Sequence, residues 1–302
     1  MDYTTMLPSE VRERIRSGEI NGQTSGMCQG YAQANLVALP REIAYDFLLF
    51  AQRNPRACPL LEVSDTGSRQ LHEIADNADI ATDIPRYRIY EKGILTKEVE
   101  DASPYWRDDL VSFLIGCSFS FEGDLLAADV PVRQIEEGCN VPMYNTNIPC
   151  RSAGIFHGNM VVSMRPIPYE LVPKAVLITG AMPKVHGAPI HIGDPSHIGI
   201  ADLDHPDYGN IGGSNVGNHV RIHSDLIIAK ALSHIAVQIY FHSILFSFTA
   251  SVLQVYVLHI RNKHMSRRMR DHIIRLRLHD HILRCYAARP EDRNLSFPDR
   301  HP

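Results

Sequence analysis

A stretch rich in glycine and proline at residues 186–195 restricts most strongly what this chain can form. It runs His-Gly-Ala-Pro-Ile-His-Ile-Gly-Asp-Pro, which disfavours a helix. Two isoleucines alternate with His191, as in a short strand whose polar positions share one face. Asp194 followed by Pro195 predicts either a turn after this strand or a helix N-cap. Because α/β proteins bind ligands where strands end in loops, we expect His191 and Asp194 near a site.

Strand and helix patterns alternate along the first 210 residues. Alternating or continuous apolar runs predict strands, and apolar residues three and four apart predict helices. Strands are predicted at 33–40, 59–63, 141–148 and 158–165, a hairpin at 87–99, and helices at 9–18, 41–53, 103–116, 123–128 and 169–179. This alternation is typical of the α/β class.

We expect three parts in the chain. An α/β body with a mixed sheet comprises residues 1–83 and 151–213, and a smaller α+β unit is inserted at 84–150. Residues 214–302 are expected to form a divergent, helical, basic tail that packs poorly. The net charge of the chain is -4, yet residues 261–302 hold 11 Lys and Arg against 5 Asp and Glu. This change in charge marks the end of the chain as a different kind of segment.

The cysteines indicate a reducing compartment. There are six, scattered without a CxxC pair or zinc-ligand spacing. The first ten residues have neither a basic nor an apolar segment of the kind found in signal peptides. We therefore expect a cytoplasmic protein, with the mitochondrial matrix as the alternative.

Residues 235–260 contain no Asp, Glu, Lys or Arg, and basic residues follow them. That length and flanking charge suit a membrane span. Polar residues inside the run, among them Gln238, His242 and Gln254, oppose insertion, so a buried helix is favoured over membrane contact. The basic tail leaves binding to nucleic acid or an anionic membrane as a rival hypothesis, although we expect no nucleic-acid partner. Assembly into a homo-oligomer stays open.

Residues 117–122 (Cys-Ser-Phe-Ser-Phe-Glu) alternate small polar and aromatic side chains. In an extended segment Ser118, Ser120 and Glu122 share one face, and the two phenylalanines form an apolar wall opposite. A carboxyl group beside such a wall tends to stay protonated, which suits a general acid. The alternative is a buried glutamate satisfied by the backbone, or a glutamate in the first turn of the next helix.

Arg165 follows an apolar run and is expected at a strand end. A planar guanidinium there suits a substrate carboxylate, but a structural ion pair is an equal alternative. His157 precedes a glycine and fits an ordinary loop histidine.

A metal site is not expected. His186, His191 and Asp194 have metal-binding side chains, but their spacing on a strand does not place three ligands around one ion. The chain also has no glycine-rich phosphate loop and no Gly-x-Ser-x-Gly motif.

Taken together, these strings resemble the hydro-lyase family that includes D-glutamate cyclase. The match extends over about residues 5–210. It includes 24–26 (Thr-Ser-Gly), 33–36 (Gln-Ala-Asn-Leu), 53–55 (Arg-Asn-Pro), 113–122 (Phe-Leu-Ile-Gly-Cys-Ser-Phe-Ser-Phe-Glu), 162–168 (Val-Ser-Met-Arg-Pro-Ile-Pro), 186–195 and 206–209 (Pro-Asp-Tyr-Gly). The resemblance implies an α/β fold with two structural domains.

The chain departs from the family pattern after residue 210. Family members continue into a Cys-Gly-Val-Thr-Pro-Gln motif and a later His-x-Pro-Gly-His segment, and neither is present here.

The resemblance implies cyclisation of D-glutamate to 5-oxo-D-proline with loss of water, without a metal or an organic cofactor. The chemistry needs a cation for the α-carboxylate, for which Arg165 is the candidate. It needs an acid for the departing oxygen, with Glu122 first and Asp194 second, and His191 is the candidate base for the amine. Candidate substrate-binding side chains are Ser118, Ser120, Tyr144, Thr146 and His157. The alternative is a catalytically impaired family member that binds a small ligand or a partner.

Overall fold

The computed structural model describes residues 2–210 and the backbone of two later strands. The helices are α1 (Pro8–Arg16), α2 (Arg41–Arg53), α3 (Glu122–Ala127), α4 (Arg133–Glu136) and α5 (Val172–Gly180). The strands are β1 (Gln33–Pro40), β2 (Leu60–Val63), β3 (Tyr87–Glu91), β4 (Ile94–Val99), β5 (Leu110–Gly116), β6 (Met143–Pro149), β7 (Asn159–Pro168), β8 (His191–Ile192), β9 (Asp225–Leu232) and β10 (Tyr256–Val257).

The first sheet has the order β10-β1-β5-β2. Every residue of β1 is buried, because apolar clusters cover both faces of the sheet. Leu36 and Leu114 contribute to one cluster, and Val37 and Phe113 to the other. Helix α2 covers this second face, where the ring centroid of Phe47 lies 4.8 Å from that of Phe113.

The second sheet has the order β6-β7-β9-β8. Strand β7, one of its two inner strands, sends alternate side chains to opposite faces of the sheet, where different apolar clusters lie. Ile167 packs with Phe121 and other residues around α3 and α5, whereas Val162 packs with Tyr144. The candidate site lies between the beginning of α3 and β7, beside the cluster that contains Phe121 and Ile167.

A separate hairpin joins β3 to β4. Its turn residues Lys92 and Gly93 both have positive φ, at 51° and 78°, as tight two-residue hairpin loops require. The hairpin and α2 coincide with their predicted positions.

The predicted combination of helices and sheets is confirmed. The direction of the strands differs from the expected mixed sheet, because every pairing among the described strands is antiparallel.

The helix predicted at 103–116 is wrong. A single 3-10 turn, Ser103–Tyr105, is followed by β5, which lies between β1 and β2. All seven residues of β5 are buried, and such a continuous apolar run resembles a buried helix in sequence.

The extended segment predicted at 117–122 is also wrong. Ser118–Phe121 forms a 3-10 helix that leads directly into α3. Cys117 begins this turn, because its carbonyl accepts a 2.7 Å hydrogen bond from Ser120 Oγ. Serine hydroxyls favour such local bonds over a strand.

The division into a body, an inserted unit and a tail stays a prediction. β5, from the predicted inserted unit, pairs with β1 and β2 of the predicted body. Apart from β9 and β10, residues 211–302 lie outside the described part of the chain, and so does nearly all of the uncharged run at 235–260. In the part that the structure describes, no helix is long and apolar enough to cross a membrane.

Candidate active site

Glu122 is the first residue of α3, and its side chain is completely buried. Its carboxylate accepts three hydrogen bonds: from Ser25 Oγ at 2.6 Å, from Gln134 Nε2 at 2.6 Å and from Arg165 Nη2 at 2.7 Å. Three donors around one carboxylate compensate for the loss of its hydration on burial.

Arg165 lies in β7 with 3% of its side chain exposed. Besides Glu122, its guanidinium donates to Ser163 Oγ at 2.9 Å and to Ser118 Oγ at 3.2 Å. The ring of Phe121 lies 5.2 Å from the guanidinium carbon. We refer to Ser25, Ser118, Glu122, Gln134, Ser163 and Arg165 as the Arg165–Glu122 cluster.

One donor of this buried cation has no partner in the described residues. Arg165 Nε is buried, and it donates no hydrogen bond to any of the residues that the structure describes. An unsatisfied buried donor is unfavourable, by about 1–3 kcal/mol, so this N–H is suited to an acceptor that arrives with a ligand.

Two glycines allow the backbone to reach this arrangement. Gly116 precedes the turn that carries Ser118, and a Cβ there would lie 2.0 Å from the carbonyl oxygen of Lys184. Gly26 has a φ of 79° in the turn that carries Ser25. Only glycine tolerates the first contact, and the second backbone conformation strongly favours it.

The surroundings of Glu122 differ from the apolar wall expected from the sequence. Because 118–121 is helical, its side chains do not alternate between two faces. Phe121 packs on the guanidinium of Arg165, and Phe119 joins another cluster with Met143. The side chain of Glu122 is therefore surrounded by hydrogen-bond donors rather than by an apolar wall.

Ser120 has a structural position at the turn. Its Oγ accepts a 2.7 Å hydrogen bond from the backbone N–H of Gln33, in addition to donating to Cys117. It thereby ties the end of β5 to the start of β1, and both of its strong hydrogen bonds are to backbone groups.

His191 is the first residue of β8, and Asp194 follows this strand as the N-cap of a 3-10 turn. The Nε2 of His191 is 2.7 Å from the backbone carbonyl oxygen of Asp194. A carbonyl only accepts, so Nε2 carries the proton and Nδ1 is the basic nitrogen of the neutral ring. Asp194 is the predicted N-cap, and its bond from the backbone N–H of Ser196 lowers the pKa of the carboxyl group.

Tyr144 and Thr146 lie on β6, and both hydroxyl groups donate to the backbone. Tyr144 donates to Leu203 O and Thr146 to Met160 O, each at 2.7 Å. Burial raises the pKa of Tyr144 to about 12. His157 is exposed in the loop before β7.

The two faces of the second sheet separate these candidates. Arg165 follows Met164 in β7, so their side chains project to opposite faces of the sheet. Met164 lies on the face that packs with Tyr144. Arg165 lies on the same face as Ile167, which packs with Phe121. Ile192 joins the cluster of Ile167, so its neighbour His191 projects to the other face. The structure thus brings Ser118, Glu122 and Arg165 together and keeps His191 apart from them.

Sequence reasoning missed three members of the Arg165–Glu122 cluster: Ser25, Gln134 and Ser163. Ser25 and Ser163 lie in motifs that carry the family resemblance, so those strings could have indicated them. Gln134 lies on the four-residue helix α4, and nothing in its sequence context distinguishes it. Within residues 2–210, no three His, Cys, Asp or Glu side chains are placed to hold a metal ion.

Comparison with known proteins identifies the family. The family model described as D-glutamate cyclase matches residues 111–223. A protein of Clostridium beijerinckii with the name "Putative hydro-lyase" is 70% identical over 210 residues, which is 70% of this chain and 80% of that protein. The Bacillus subtilis protein YcsI, named in the same way, is 58% identical over 205 residues, 68% of this chain and 80% of its own length. The chain therefore belongs to the hydro-lyase family that includes D-glutamate cyclase, as its motifs indicate.

Proposed function

We propose that this chain cyclises D-glutamate to 5-oxo-D-proline, with loss of water, at the Arg165–Glu122 cluster. The observation that carries the proposal is a buried guanidinium that holds a buried carboxylate while one of its own donors has no partner among the described residues. The region matched by the D-glutamate cyclase model, 111–223, contains every member of the cluster except Ser25.

Arg165 binds the α-carboxylate of the substrate in this proposal. Its Nε–H is the donor for the incoming oxygen, and Ser118 and Ser163 hold the guanidinium in place. A hydrogen bond between charged groups is worth about 1.5–3 kcal/mol, which is enough to orient a small zwitterion.

Glu122 moves protons between the two ends of the substrate. The α-ammonium must lose a proton before its nitrogen can attack the γ-carboxyl carbon, and Glu122 accepts that proton in this proposal. Hydroxide is a poor leaving group, so the same proton is then returned to the departing oxygen. Over the whole reaction two N–H bonds break and two O–H bonds form, so one carboxylate can serve as base and then as acid.

This division of roles differs from the one expected from the sequence. There, Glu122 was the acid, and the separate residue His191 was the base. Since His191 projects to the other face of the sheet, the proposal assigns both proton transfers to Glu122. Asp194, Tyr144, Thr146 and His157 have no part in it.

The test is the turnover of Glu122→Gln. The amide keeps the shape and one acceptor oxygen but cannot take up the proton, so lactam formation should fall by about a hundred- to ten-thousand-fold. Glu170→Gln, an exposed change of the same kind, is the control and should keep normal turnover. Full turnover in Glu122→Gln would assign the proton transfers to another residue.

A protein that binds without turning over is the second candidate function. It is favoured by the absence of the two family motifs after residue 210. Calorimetric binding of D-glutamate together with no lactam would support it over the enzyme.

A further inference from the structure

Ser25 has the most exposed side chain among the three donors to Glu122. Its Oγ lies 2.6 Å from Oε2 of the glutamate, and the residue is half-buried. The other two donors, Gln134 and Arg165, are both buried and both contact the other oxygen, Oε1. One carboxylate oxygen is thus fixed from the interior, and the other is linked towards the surface by a hydroxyl.

The chemistry of the three donors also differs. An arginine stays protonated under all conditions relevant to proteins, and a glutamine amide carries no exchangeable acid or base function. A serine hydroxyl can accept one hydrogen bond while it donates another. Of the three groups on Glu122, Ser25 alone can therefore pass a proton to or from the carboxylate.

The turn around Ser25 is firmly held. The buried Thr24 donates from Oγ1 to Gln33 Oε1 at 2.8 Å, and the amide of Gln33 donates to Thr24 O at 3.1 Å and to Met27 O at 3.2 Å. The backbone N–H of Met27 also bonds to Thr24 O at 3.2 Å. These bonds fix the hydroxyl of Ser25 over the carboxylate before any ligand arrives, which limits the reorganisation that a transfer would need.

We propose that Ser25 is a catalytic residue that relays protons between Glu122 and the substrate; this inference rests on the proposed cyclisation. In the first transfer, an ammonium N–H of the substrate gives its proton to Ser25 Oγ as the Ser25 hydroxyl proton moves to Glu122 Oε2. In the return, Glu122 reprotonates Ser25 as the Ser25 proton moves to the departing oxygen. Each proton transfer leaves the hydroxyl of Ser25 protonated again. The transfer occurs twice, so the nitrogen loses two protons, and both are in the water molecule that leaves when the C–O bond breaks.

The position of Ser25 also sets the direction from which the substrate enters. The amine must reach the hydroxyl of Ser25, which is the exposed side of the cluster, while the α-carboxylate reaches Arg165 Nε. The turn at 24–26 therefore borders the substrate site, which no candidate residue named from the sequence indicated.

The experiment compares Ser25→Ala, Ser25→Thr and Ser68→Ala with the full-length parent. Ser68 is a half-buried serine whose hydroxyl bonds, among residues 2–210, to the backbone of Gln70 in its own turn, so Ser68→Ala controls for the loss of a hydroxyl. Ser25→Ala should lower kcat by about a hundred-fold or more, with KM changed by less than about threefold, since the general acid–base step and not binding is lost. Ser25→Thr retains the hydroxyl and should recover most of the rate.

The outcomes separate this inference from the proposed function. Lactam formation by the parent together with an unchanged kcat in Ser25→Ala would overturn the relay alone. A rate loss that Ser25→Thr does not rescue, accompanied by an equal rise in KM, would make Ser25 a positioning residue and also overturn the relay. A parent without turnover would overturn both proposals.

Discussion

Nη2 of Arg165 lies 2.7 Å from Oε1 of Glu122, and neither side chain has appreciable contact with solvent. The pair connects β7 to the N-terminal end of α3, 43 residues apart in the sequence. Burial removes both groups from water, which is unfavourable unless each is paired and hydrogen-bonded. The serines and Gln134 bond to the remaining polar atoms of the pair except Arg165 Nε, so the cluster is at once an element of the core and the candidate site.

The first prediction is that the charges of Arg165 and Glu122 contribute to the free energy of unfolding jointly rather than independently. Arg165→Met or Glu122→Gln alone leaves an uncompensated buried charge and should lower the free energy of unfolding by about 3–5 kcal/mol. The double variant removes both charges, so its loss should fall short of the sum by at least about 1 kcal/mol. Urea unfolding of the four proteins measures this, and strictly additive losses would show that the pair contributes no coupling.

The second prediction concerns the binding role of Arg165. Arg165→Ala should weaken binding of 5-oxo-D-proline or D-glutamate by about ten- to a hundred-fold, the equivalent of one hydrogen bond between charged groups. Arg165→Lys should restore little, because an ammonium cannot reproduce the planar set of donors.

The matched control for that experiment is Arg133→Ala, which removes an exposed arginine from α4. Calorimetry on proteins that still melt cooperatively gives the affinities. Undiminished binding in a folded Arg165→Ala protein would restrict Arg165 to the structural ion pair.

The third prediction tests the close approach at Gly116. An added Cβ would lie 2.0 Å from the backbone oxygen of Lys184, so Gly116→Ala must displace the chain just before Ser118. We expect a loss of about 1–3 kcal/mol in stability together with reduced turnover. Gly22→Ala adds a methyl group where no atom lies within 4 Å and should change stability by less than about 0.5 kcal/mol. Equal melting temperatures for the two variants would contradict the close packing at Gly116.

The fourth prediction is a dependence of stability on alkaline pH. Burial raises the pKa of Tyr144 to about 12, above that of an unfolded tyrosine. The folded state therefore retains this proton when the unfolded chain has lost it. The resulting stability is fully present below about pH 10 and is lost as pH rises towards about pH 12.

Tyr144→Phe removes both the titration and the hydrogen bond to Leu203, so it should be less stable by about 0.5–1.5 kcal/mol near neutral pH. The difference between the two proteins should then narrow above about pH 10. Tyr45→Phe, at an exposed position, is the control. Unfolding measured against pH distinguishes the variants, and a constant difference up to about pH 12 would be inconsistent with the shifted ionisation.

Local signals explain which elements could be predicted. The hairpin turn at Lys92-Gly93 and the amphipathic spacing of α2 depend on neighbouring residues, so the sequence indicates them directly. β5 depends on partners far away, because it is a strand only by lying between β1 and β2. Its apolar residues satisfy a helical spacing equally well, and the pairing of strands decides between the two structures.

The candidate site shows the same limit. Arg165, Glu122 and Ser118 have side chains suited to the chemistry, so their types and motifs indicated them. That Arg165 bonds to Glu122, and that His191 projects from the other face of the sheet, follows from tertiary packing and strand register. Ser25 likewise contacts Glu122 only through tertiary packing, because the two residues are 97 positions apart in the sequence.

The measurement that tests the account most directly is incubation of the purified chain with D-glutamate and, separately, with L-glutamate. Mass spectrometry follows loss of one water from the substrate, and NMR identifies the lactam. Cyclisation at the Arg165–Glu122 cluster should give 5-oxo-D-proline from D-glutamate at a rate well above that without protein, little lactam from L-glutamate, and loss of the activity in Glu122→Gln. No lactam from D-glutamate with the folded parent protein, or equal rates with and without Glu122, would contradict it.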